Sequence, residues 1–156
     1  MGLDIICAGY SMCMRYSGYE MIIMMWCEAI IKYFENNKEK IRNKKIKRDV
    51  EEFIKKIENY KNFRKEYFTY YIRYSHIFLM FRLDGFHILM THSGTDGEIS
   101  SNDAKKILIT YSIIRKEYDS INEFDDGEFL YGTDYTDNFL AICYISCITK
   151  EKIIYT

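Results

Sequence analysis

The sequence predicts an α+β fold: a small sheet of about three strands, near residues 3–8, 86–91 and 152–155, packed against four or so helices. Three observations point there. Short apolar runs bounded by turn residues occur at those three places. Between them lie longer segments whose apolar residues recur at helical spacing. The 156 residues are 48% hydrophobic and 29% charged, enough apolar material for one core, so a single domain over residues 1–156 is expected. That balance excludes a disordered or collagen-like chain.

Taken in order, Leu3 to Ala8 is an apolar run ending near Gly9 and reads as a buried first strand. Ser17 and Glu20 have the spacing of a capping box, which predicts a helix to about Phe34 with Asn36-Asn37 as its stop. This helix is apolar on most sides and should lie centrally. A second helix places Ile46, Val50, Phe53, Ile54, Ile57 and Tyr60 on one face. Glu51–Lys55 and Glu52–Lys56 lie at i,i+4 spacing on the other. The aromatic stretch Tyr67 to Phe81 fits a helix or a strand pair, and periodicity does not separate them.

Asp84-Gly85 is a turn signal, and Phe86 to Thr91 reads as a central strand. On that strand His87 would face the side opposite to His92. Ser100 and Asp103 predict the start of a helix through about Tyr118. Residues 119–137, acidic and rich in turn residues, read as a surface loop. Thr136 or Asp137 caps a last helix, Phe139 to Ile148, and Lys152 to Tyr155 closes the sheet.

Composition speaks to origin and compartment. Fifteen Tyr, ten Phe, abundant Ile and Lys, and no Pro reflect codon bias in an AT-rich genome more than a demand for tyrosine. The cysteines, Cys7, Cys13, Cys27, Cys143 and Cys147, are odd in number and lack C-x-x-C spacing. They read as small buried hydrophobes in a reducing, intracellular compartment rather than as disulfides. No secretory signal opens the chain. Met21 to Ile31, its most apolar stretch, is interrupted by Glu28 and falls short of the roughly 20 residues of a membrane span. No P-loop, dinucleotide fingerprint, nucleophile elbow or H-E-x-x-H is present.

One segment carries chemical content. His92 to Asp103 (HSGTDGEISSND) is polar and lies between an expected strand and an expected helix. Aligned on an EF-hand loop, Gly97 takes the sharp turn and Ile99 the eighth position. His92 and Gly94, however, replace two carboxylates and Asp103 replaces the bidentate Glu, so tight calcium binding is not expected. His92, Asp96, Glu98 and Asp103 form the candidate set for a divalent metal or a metal-assisted hydrolase. A tight Asp96-Gly97 turn is the competing reading, and it is favoured. No cofactor is otherwise implied.

The near-zero net charge of −1 conceals an asymmetry: the chain is +6 up to Leu83 and −7 after it. Lys38, Lys40, Arg42, Lys44, Lys45, Lys47 and Arg48 supply most of the positive excess and are the candidate contacts for phosphate or nucleic acid. The negative excess clusters between Glu117 and Asp137. A surface divided in this way suits a charged protein partner or self-association, and nucleic acid is the less favoured partner.

The opening Met1-Gly2-Leu3-Asp4-Ile5, followed later by an apolar run and His92-Ser93-Gly94-Thr95-Asp96-Gly97, resembles a group of small phage and large-DNA-virus proteins. They begin MGLDI and carry an HSDCDG-type loop. Gly94 and Thr95 depart from that loop's Asp and Cys. The resemblance implies a viral origin and no particular activity. The expected function is therefore that of a non-catalytic viral accessory or assembly protein working through protein contacts in the host cytoplasm or virion.

Overall fold

A computed structural model describes residues 2–57, 67–91, 97–123 and 130–156. The fold is α+β, as the sequence predicts. The chain starts with a hairpin, β1 (Gly2–Cys7) and β2 (Tyr10–Arg15), which leads directly into α1 (Tyr16–Asn37). A 3-10 turn (Lys38–Lys40) leads to α2 (Lys44–Ile57), and α3 (Tyr67–Met80) and α4 (Asp84–Thr91) follow. Then come β3 (Gly97–Ile99), α5 (Ser101–Glu123), α6 (Leu130–Thr149) and β4 (Ile153–Tyr155). The sheet is antiparallel throughout, in the order β2-β1-β4-β3.

Four expectations are corrected. Phe86 to Thr91 is helical, not a strand: Phe86, Ile88, Leu89 and Met90 are all buried because α4 is enclosed by its neighbours. A short apolar run looks the same in a buried helix and a buried strand. The sheet gains β2 and β3 instead. Ser17 does not cap α1, which begins two residues earlier than that cap implies, with Arg15 in the cap position and no side-chain hydrogen bond there. Both ends of the expected acidic loop are helical, and its middle, 124–129, lies outside the described residues: α5 continues to Glu123 and α6 starts at Leu130, so Thr136 and Asp137 lie inside a helix, and Thr136 is buried. Glu117, counted with the acidic surface, is also buried. The aromatic stretch left open between helix and strands is the helix α3.

Other starts follow the sequence. Asn43 caps α2, its Oδ1 accepting from the amides of Lys45 (3.0 Å) and Ile46 (3.1 Å). Ser100 Oγ accepts from the amide of Asp103 at 3.1 Å and caps α5.

The core is one cluster running from Leu3, Ile5 and Ile153 on the sheet through Trp26 and Phe34 of α1 to Phe53, Phe78, Phe86 and Phe139. The inward residues of β1 alternate with exposed ones, so one face of the sheet packs on helices and the other meets solvent. Helix α6 lies against β1, β2 and β4, while α1 packs on α5 and α6. Tyr19 ties these layers together: its ring meets Phe139 and Tyr155 edge-on, and its hydroxyl donates to the carbonyl of Leu89 at 3.1 Å. Among the described residues, no helix is long and apolar enough to cross a membrane.

Candidate functional site

The basic segment spans the 3-10 turn and the start of α2, and its cations have different surroundings. It bends around the 3-10 turn between α1 and α2. Lys47 Nζ sits 3.0 Å from Glu39, whose carboxyl it holds below the ordinary range. Lys38 faces a pocket shared with Glu35, Glu51 and Lys55. Lys44, Lys45 and Arg48 are exposed on α2 and form no ion pair among the described residues. Lys40 and Arg42, also without an ion pair there, are placed differently: they rim a cleft.

That cleft, of about 430 Å3, is bounded by Tyr33 and Asn37 at the end of α1, by the turn Lys40–Asn43, and by Ile46, Met80 and Phe81. Its floor is aromatic and fixed. Tyr33 and Phe34 both meet the ring of Phe81 edge-on, at 6.5 and 5.4 Å between centroids, and Phe34 meets Phe53 in turn at 5.7 Å. Burial pushes the Tyr33 phenol up, with the nearby Glu117 adding to the shift, so the ring stays neutral at physiological pH. Met80, more than half exposed, adds an apolar side chain to the lining. The polar groups here are partly committed to the fold: Asn37 donates to the carbonyl of Tyr33 at 2.7 Å, and Asn43 caps α2. An apolar floor with two free cations suits a ligand that combines an apolar group with negative charge.

The proposed metal set is placed less favourably. His92 and Asp96 lie outside the described residues. Glu98, on β3, accepts from Lys152 Nζ at 2.8 Å across the sheet. Asp103 opens α5, its Oδ1 3.8 Å from Lys106 Nζ. Each carboxylate thus faces an ammonium, which competes with a cation for it. Among the described residues, no group of three or more His, Cys, Asp or Glu side chains is arranged to hold a metal.

Asp103 does share a shallow pocket with Asp84, His87, Thr91 and Lys106. Burial holds His87 below its ordinary pKa, against the pull of Asp103 and Asp84 toward the protonated form. Asp84 and His87 are i,i+3 neighbours on α4, a relation that disappears when the segment is read as a strand. The strand-based separation of His87 from His92 does not apply to a helical His87.

All five cysteines are free, and Cys7, Cys27 and Cys143 are buried. Burial raises the thiols of Cys27 and Cys143 well above 9.0, so they remain protonated and poor as nucleophiles or ligands. Tyr33, Met80 and Phe81 escape a sequence reading of the site, because only the tertiary fold brings the end of α3 beside the α1–α2 turn. The chain matches no protein-family model, no curated protein and no solved structure.

Proposed function

We propose that this chain is a non-catalytic viral accessory or assembly protein that works by protein contact. Its contact surface is the cleft between α1, α2 and the end of α3. The observation carrying the reading is the joint presence, in one cleft, of an aromatic and aliphatic floor and two unpaired cations, Lys40 and Arg42. The chemistry that fits is a protein segment bearing an aromatic or aliphatic side chain flanked by carboxylates. The side chain fills the floor while the carboxylates meet the rim. A phosphodiester backbone fits less well, because of the 38–48 cations only Lys40 and Arg42 line the cleft, and Lys47 is paired with Glu39. The opening MGLDI, the 92–97 loop and the AT-rich composition support the viral origin. Free thiols support a reducing compartment.

The test is fluorescence anisotropy with a labelled peptide in which Phe is flanked by Glu residues, run beside single-stranded RNA and duplex DNA. Wild type should bind the peptide, with affinity falling as salt rises, and Lys40→Glu/Arg42→Glu should lose about tenfold or more. Equal binding by that variant, or tighter binding of the nucleic acids than of the peptide, would contradict the proposal.

A further inference from the structure

The geometry points to a second function for the sheet: the β2 edge pairs with β2 of a second copy of this chain, antiparallel about a two-fold axis at Cys13. The hairpin identifies which groups are free to do this. Across a two-residue turn the flanking residues Cys7 and Tyr10 form a hydrogen-bonded pair, and bonding then alternates along the ladder. Tyr10, Met12 and Met14 therefore direct their backbone groups at β1, and Ser11, Cys13 and Arg15 direct theirs away. The far side of β1 fixes the same alternation. Asp4, opposite Cys13, exchanges both of its bonds with Thr156 on the β4 side, at 3.0 and 2.9 Å.

Among the described residues, Ser11 and Cys13 have no backbone partner on their outward side, and all three outward residues are exposed. Apart from the charge of Arg15 at its end, the edge carries few of the usual protecting devices. The chain has no proline, β2 has no lysine, and its six-residue register runs without a bulge. The opposite edge is different: β3 is three residues long, and its Glu98 is held by Lys152.

The occupant is a second copy because the edge is complementary to itself. Two registers place outward residues opposite outward residues over most of the strand, and only the one centred on Cys13 engages Ser11, Cys13 and Arg15 together. In that register Arg15 faces the second copy's neutral Ser11, and Met12 faces its Met14. Each copy's Asp4 lies opposite its own Cys13, so no like charges stand directly opposite each other across the axis. Ile6 and Ile154, neighbours in register and both exposed, continue an apolar strip on each half. Such an isologous contact closes at two copies.

Sedimentation velocity over a concentration series in reducing buffer tests this, together with amide hydrogen exchange at Ser11 and Cys13. Wild type and Cys13→Ser should form a dimer, and those two amides should become slower to exchange as concentration rises. Cys13→Lys sets two ammonium groups against each other across the axis and should weaken the dimer by about tenfold or more. Its thermal melt and circular dichroism establish that it folds. Lys40→Glu/Arg42→Glu should dimerise like wild type, which separates this contact from the cleft. A single-copy mass at every concentration would overturn the inference, as would a Cys13→Lys protein that dimerises as tightly as wild type.

Discussion

Thr110 shows how much one side chain can hold. Buried on α5, its hydroxyl accepts from the amide of Gly85 at 3.0 Å and donates to the carbonyl of Arg82 at 3.0 Å. Both partners belong to the tight passage from α3 to α4, where Arg82 has a φ of 58°. Thr110→Val keeps the shape and leaves two polar groups unpaired, so chemical denaturation should show a loss of about 1–3 kcal/mol. Gly85 is demanded by the same contact. A Cβ there would strike the carbonyl of Lys106 and lie 2.7 Å from the Cα of Ile107. Gly85→Ala should cost about 3 kcal/mol, because the obstacle is helix backbone. Titration is legible at this scale too. Burial raises the pKa of Cys27, Cys143 and Tyr155, so the folded state holds their protons to higher pH than the unfolded state does. Their stabilising contribution is complete below the ordinary values of 9.0 and 10.0 and is lost as pH rises beyond them. Melting temperature should fall above about pH 9, and Cys143→Ala should flatten that fall.

At the scale of elements, the sequence was readable where local rules decide and misleading where packing does. Asn43 and Ser100 cap their helices because each needs only its own neighbours. The segment 86–91 was unreadable by pattern, since a helix buried on nearly all sides has no polar face to set its period. The start of the acidic stretch is helical for another reason: Glu and Asp do not by themselves mark a loop, and α5 carries Asp119 and Glu123. The β1–β2 hairpin was hidden by its turn. Ala8 and Gly9 both have positive φ, 50° and 81°, as a type I′ turn requires, but Ala is a poor residue for the first place. Ala8→Asn should therefore stabilise the protein by about 1 kcal/mol, visible as a higher melting temperature. Of the candidate site, the cations were legible as a charge run, whereas the floor was not. Tyr33 belongs to α1 and Phe81 follows α3, and no spacing in sequence links them.

Across the whole molecule, the net charge of −1 is a sum of two unlike halves, and the fold decides which charges are available. Lys47, Arg73 and Lys152 are held in ion pairs with Glu39, Glu52 and Glu98, and His76 lies 2.8 Å from Asp49. These exposed pairs add little stability, but they remove cations from the pool that a partner can meet. Lys40 and Arg42 stay in that pool, set above Tyr33, Ile46 and Phe81. The most direct test of this account is a charge swap read by calorimetric titration. The acidic Phe-bearing peptide and its Lys-substituted counterpart are each titrated into wild type and into Lys40→Glu/Arg42→Glu. Wild type should take the acidic peptide and refuse the basic one, and the variant should reverse that preference. Indifference of both proteins to the sign of the peptide would contradict it.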